Sequence, residues 1–137
     1  MSGLAAVLAG RHDPGVHRWE SGLDVADVRQ AVEHAGWRFA YVDGAGLEAL
    51  PDVLRRIGEA LAFPATYGQN LDALNDSLRD LPGRTVLLWD AWSGLARAEP
   101  RRFAVLVAVL GRRDAAGPAV EVLLRGAGPE DVVPLLA

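Results

Sequence analysis

Apolar positions along this chain follow two alternating rhythms, one of strands and one of helices. Residues 16–20 read as a short strand. Asp24 then opens a helix, with Val25, Val28 and Val32 at i, i+3 and i+7 and Gly36 just past its end. Residues 37–42 are rich in aromatics, end at Asp43-Gly44 and predict a strand. Pro51 suits the first turn of the next helix, whose inward stripe is Val53, Leu54, Ile57 and Leu61, and Phe63-Pro64 ends it. A third helix is expected over residues 70–80. After the Pro82-Gly83 turn, residues 85–89 form a continuous apolar run, as a strand covered on both faces would. Glu99-Pro100 opens a helix with Phe103, Leu106, Val107 and Leu110 inward, and residues 119–124 form the last strand after Gly117-Pro118. Residues 1–15, punctuated by Gly10, Pro14 and Gly15, read as loose, and residues 125–137 carry no pattern. Strands alternating with helices imply a parallel sheet, so the fold class is α/β, with three strands the minimum.

The helix expected at 70–80 breaks a local rule. At about 100° per residue, Leu71, Leu74, Leu78 and Leu81 share one stripe. Asp72, Asp76 and Asp80 fall at i, i+4 and i+8 on another stripe, and must face outward. Like charges at this spacing cost roughly 0.2–0.5 kcal/mol per pair, and aspartate is a poor residue for a helix interior. The helix dipole welcomes Asp72 in the first turn but gives no reason for Asp76 or Asp80. An ordinary solvated face is the plain alternative to a functional acidic one.

Composition narrows the function. The 137 residues suit one domain, half of them hydrophobic and under a quarter charged, as in a globular chain. A net charge of −4 does not suit a dedicated nucleic-acid binder. Without cysteine there is no disulfide or thiolate metal site, and His12, His17 and His34 lack the spacing of a zinc pair. The short apolar start has no basic flank, so neither a signal peptide nor a membrane span is expected, and the protein should be cytoplasmic.

The stretch from Phe63-Pro64 through Thr66-Tyr67-Gly68, Asn70-Leu71-Asp72-Ala73-Leu74 and Asp76 resembles the barstar family of ribonuclease inhibitors. The resemblance covers residues 37–124, with 1–36 an N-terminal extension holding a possible extra strand and helix, and 125–137 a tail. It implies a three-stranded parallel sheet flanked by helices, with no catalysis and no cofactor; separately, no metal is expected and the chain is expected to be a monomer. It also implies that the helix and the loop before it enter the cleft of a ribonuclease. Asp76 then matches the aspartate that takes the phosphate site, and Asp72 its companion. Gly68 and Asn70 match the loop-to-helix junction, with Tyr67, Asn75 and Asp80 on the same surface. Thr66 stands where the family often has a contacting aromatic, and Asn75 where the prototype has tryptophan. Arg112 lies near a position of a contacting glutamate, and Gly83 lacks a family acidic side chain. These departures imply a partner other than barnase itself, or a related toxin nuclease.

Other readings compete. Residues 44–49 match G-x-G-x-x-A after a strand, the dinucleotide fingerprint, but Pro51 at a helix start and a small sheet argue against it. Asp72 and Asp76 as metal ligands or an acid–base pair lack a third ligand or a histidine partner. A protein-interaction module with a partner other than a nuclease stays open, and Arg97, Arg101, Arg102, Arg112 and Arg113 would be its second surface. Trp19, Trp37, Trp89 and Trp92 read as packing residues, with Trp92 beside Ser93-Gly94 in a loop and the one to check for exposure.

Overall fold

The computed structural model describes residues 3–64, 67–112 and 117–137. In chain order the elements are α1 (Gly3–Leu8), β1 (Val16–Arg18), α2 (Val25–His34), β2 (Arg38–Asp43) and α3 (Leu50–Ala60). They continue with α4 (Leu71–Arg79), β3 (Thr85–Asp90), α5 (Ser93–Ala98), α6 (Pro100–Leu110) and β4 (Val120–Arg125). All four strands pair in parallel, in the order β1-β4-β3-β2.

The sheet therefore has four strands where three were expected. The fourth is β1, which lies along the outer edge of β4 with Val16 opposite Val122. The short strand expected over residues 16–20 forms over the first three of them, and its place in the sheet is set by a partner more than 100 residues away. Two main-chain bonds fix the junction: Val122 donates to the Gly15 carbonyl and Trp19 to that of Leu124, both at 2.8 Å.

Alternation on the strands feeds two cores. Leu87 and Trp89 of β3, with Val42, Val122 and Leu124, pack under α3, α4, α5 and α6. Val86, Leu88 and Leu123 point the other way, toward Val28 and Val32 of α2 and Leu4 and Val7 of α1. Every residue of β3 but the last is buried, which explains its unbroken apolar run. The residues ahead of 37 thus supply one whole covering layer. Residues 1–15 are not loose throughout: α1 seats Leu4, Ala6 and Val7 in the core. The tail returns to the same layer, burying Leu136 and bridging Leu135 to Arg18. Trp92 is 1 % exposed; it opens α5 and stacks near Phe103, with ring centroids 5.5 Å apart.

One clamp ties the carboxyl ends of the strands. Arg125 donates from Nε and Nη2 to the two oxygens of Asp90, at 2.6 and 2.8 Å. Tyr41 donates its hydroxyl to the same carboxylate at 2.9 Å, and Arg125 Nη1 reaches the Leu23 carbonyl at 2.6 Å. β2, β3, β4 and the β1–α2 connection are thereby joined through one carboxylate. Burial works against charge on Asp90, but Arg125 and Tyr41 outweigh it and hold its carboxyl below the usual range.

Candidate functional site

The acidic helix α4 forms over Leu71–Arg79 and is anchored by Leu74 and Leu78, both buried. Asn70 caps it: its Oδ1 accepts from the Ala73 N–H at 2.8 Å, satisfying one of the orphan donors of the first turn. The residue before the cap, Gln69, holds a left-handed backbone with φ of 52° and turns the chain into the helix. Replacing Asn70 by alanine should cost about 1 kcal/mol of stability, read by urea denaturation, because that N–H loses its acceptor.

Asp72 and Asp76 are exposed on the face opposite the buried leucines. Asp80 is exposed too, but the helix proper stops at Arg79, so Asp80 is the C-cap residue. There the negative end of the helix dipole disfavours its charge, which makes its presence harder to explain by stability alone. Among the described residues, no ion pair or side-chain hydrogen bond joins any of these three carboxylates to another side chain. The neighbouring Arg79, one turn after Asp76 in the sequence, does not close onto it.

The other expected residues are gathered around this face in different ways. Asn75 is half-buried and accepts from Arg112 Nη1 at 2.9 Å. That bond brings the end of α6 against α4 across 37 positions, and no sequence spacing announces it. Tyr67 is turned inward. Its ring lies where a Cβ on Gly58 would stand, 2.6 Å away, and meets Phe63 edge-on with centroids 5.0 Å apart. Its buried hydroxyl has no partner in the described structure, and burial pushes it up to about 12. Tyr67 therefore pins the loop ahead of α4 to α3. Gly68 is exposed beside Asn70, whose Nδ2 donates to the Gly68 carbonyl at 3.4 Å. Thr66 lies outside the described residues.

A cavity of about 430 Å³ opens alongside, lined by Asn75, Leu78, Val109, Arg112 and Pro118 with residues 13–15 forming one wall. The N-terminal segment thus borders the same surface, a neighbourhood that only the fold creates.

The geometry also bears on the competing readings. Gly44 lacks a side chain because the end of β3 packs onto it: a Cβ there would sit 2.5 Å from the Ala91 carbonyl and 2.6 Å from that of Asp90. The first N–H of α3, at Leu50, donates to Glu99 Oε2 at 3.2 Å, so a carboxylate of the chain already stands where a pyrophosphate would. A dinucleotide does not fit this turn. Among the described residues no group of three or more His, Asp or Glu is placed to hold a metal ion. No described helix is long and apolar enough to cross a membrane. The basic residues Arg97, Arg101 and Arg102 are exposed along α5 and α6, with Arg102 3.7 Å from Glu99.

Comparison with known proteins adds the following. No curated protein is a significant sequence match. Among solved structures, the ORC2 protein of Aeropyrum pernix, in its ADPNP–ADP complexes, superimposes with a TM-score of 0.58 at 18% identity. The match covers 91% of this chain but 38% of that one, so the likeness is one of fold over a part of a longer protein. The family model described as barstar, the barnase inhibitor, matches residues 37–124. That span begins at Trp37 at the foot of β2, ends in β4 and contains α4 whole, and on it the chain belongs to the barstar family.

Proposed function

We propose that the chain is an inhibitor of a ribonuclease, and that α4 blocks the nuclease by standing in for RNA phosphates. The observation that carries this reading is the exposed carboxylate of Asp76, without a partner among the described side chains, on a helix held by Leu74, Leu78 and the Asn70 cap. A ribonuclease cleft concentrates arginine, lysine and histidine to bind phosphate. A fixed carboxylate can occupy that site and cannot be cleaved. Its bonds to guanidinium groups strengthen as the interface excludes water. The acidic face also steers the encounter, so association should be fast and should slow as salt is added.

In this reading Asp76 takes the phosphate site and Asp72 the flank, with Gly68, Asn70, Asn75, Asp80, Thr66 and Tyr67 shaping or bordering the contact. The inhibitor acts in the cytoplasm as a monomer and carries out no catalysis. Asp72→Ala should weaken binding less than Asp76→Ala, because Asp72 lies at the edge of the first turn; calorimetry of both variants against the cognate nuclease ranks them. The test is to capture the partner on immobilised protein and to assay the captured enzyme on RNA with and without added inhibitor. A captured ribonuclease that stays fully active contradicts the reading.

One observation favours a second reading. Arg112, just past the end of α6, sets a cation against Asn75 of the acidic helix, which suits a basic cleft poorly. A family member with a partner other than a nuclease would carry such a mixed surface. It would leave every ribonuclease active.

A further inference from the structure

Outside the acidic face, one carboxylate among the described residues is completely buried. Glu121 of β4 is 0% exposed and lies on the side of the sheet covered by α1 and α2. His17 of β1, 7% exposed, holds Nδ1 at 2.8 Å from Glu121 Oε2 and 3.1 Å from Oε1. The Gly15 N–H donates to Oε1 at 2.9 Å. These contacts sit on the junction between β1 and the rest of the sheet. That junction is short: β1 has three residues, and the layer it anchors is completed by the six-residue α1. Short elements with few ladder bonds are the part of a fold that opens first.

We propose that the His17–Glu121 pair is a pH-sensitive latch that holds the N-terminal α1–β1 layer against β4 and releases it as the pair loses its last proton. A neutral carboxyl, or a carboxylate beside an imidazolium, is tolerable at a site closed to water. A lone carboxylate beside a neutral imidazole is not, because an uncompensated buried charge is costly. Burial pushes Glu121 up to about 8 from its ordinary 4.5, against the opposing Gly15 N–H. The folded state therefore holds this proton longer than the unfolded chain does. Its contribution is complete below about 4.5 and is lost as pH rises through about 8.

The charged groups around the pair are few among the described residues. His12 meets the His17 ring edge-on with centroids 5.1 Å apart, and Asp13 follows it in the same lead-in. α1 carries no charge, β3 offers Val86 and Leu88 on this side, and Asp27, Arg29, Glu33 and His34 of α2 are all exposed. Residues 13–15 also wall the cavity beside Asn75 and Arg112, so release would open the surface next to α4. The latch itself does not depend on what binds there.

Glu121→Gln keeps the shape and the Gly15 bond while removing the titration. Thermal unfolding of wild type and variant between pH 6 and pH 9.5 reads the difference. The wild-type midpoint should fall by several degrees relative to the variant, leaving the variant the more stable protein at pH 9. Amide exchange in the wild type gives a second, local reading. Corrected for base catalysis, protection at Trp19 and Val122, whose N–H groups close the β1–β4 junction, should drop at least tenfold more than at Val42 between pH 6.5 and 9. If the variant does not fold, the exchange comparison alone decides. Parallel melting curves, or Trp19 and Val122 tracking Val42, overturn the proposal.

Discussion

Asp76→Ala is expected to cost roughly 2 kcal/mol or more of binding to the partner ribonuclease, at least a thirtyfold loss of affinity, with no loss of fold. That magnitude is carried over from interface hot spots in general, the barnase–barstar pair among them. The structural reason for expecting a clean effect is that the Asp76 carboxylate is exposed and bonds to no other described side chain, so removing it orphans none of them. Relief of like-charge repulsion with Asp72 and Asp80 should leave the variant as stable as the parent or slightly more so. Calorimetry reads the affinity and circular dichroism the fold. The salt dependence should fall in parallel, since one steering charge is gone. An Asp76→Ala protein that binds within twofold of the parent would remove the residue from the interface.

The second large effect is on the scaffold. Gly44→Ala should destabilise the protein by about 3 kcal/mol, the upper part of the range for forcing a methyl group into packed surroundings. The added Cβ would lie 2.5 Å from the Ala91 carbonyl oxygen and 2.6 Å from both the Asp90 carbonyl and Trp89 Nε1. None of these can yield easily. β3 is an interior strand, Asp90 is clamped by Arg125 and Tyr41, and Gly44 itself donates to the Asp90 carbonyl at 2.7 Å. Urea denaturation measures the loss. A variant of unchanged stability would undo this account of Gly44.

The sequence carries some of this structure openly and hides the rest, for physical reasons. Residues 85–89 announce a strand buried on both faces because no polar group interrupts them, and the leucine stripe of α4 announces its inward side. Asn70 and the aspartates are legible because capping and charge spacing are local. β1 is different. A short strand is legible over residues 16–20, but nothing local to Val16-His17-Arg18 says that it joins the sheet along the edge of β4. His17 itself reads as an unremarkable histidine until β4 brings Glu121 to it from 104 positions away. The bond from Arg112 to Asn75 and the wall that residues 13–15 give the cavity are likewise products of the chain's path. Trp92 looked like a loop tryptophan because Ser93-Gly94 reads as a turn. In the fold it is drawn under Phe103, and its indole N–H donates to the Gly126 carbonyl at 3.3 Å. Long-range pairing, with each partner ordinary on its own, is the common feature of what the sequence concealed.

The most direct test is a titration of the purified protein into barnase and into the secreted ribonucleases of its own organism, following cleavage of a fluorogenic RNA. The account predicts that at least one of these enzymes is silenced at one-to-one stoichiometry, competitively with a mononucleotide. It also predicts that the Asp76→Ala protein fails to silence it at the same concentration. If every enzyme stays active under excess protein, or if the alanine variant inhibits as well as its parent, the acidic helix is not a phosphate mimic.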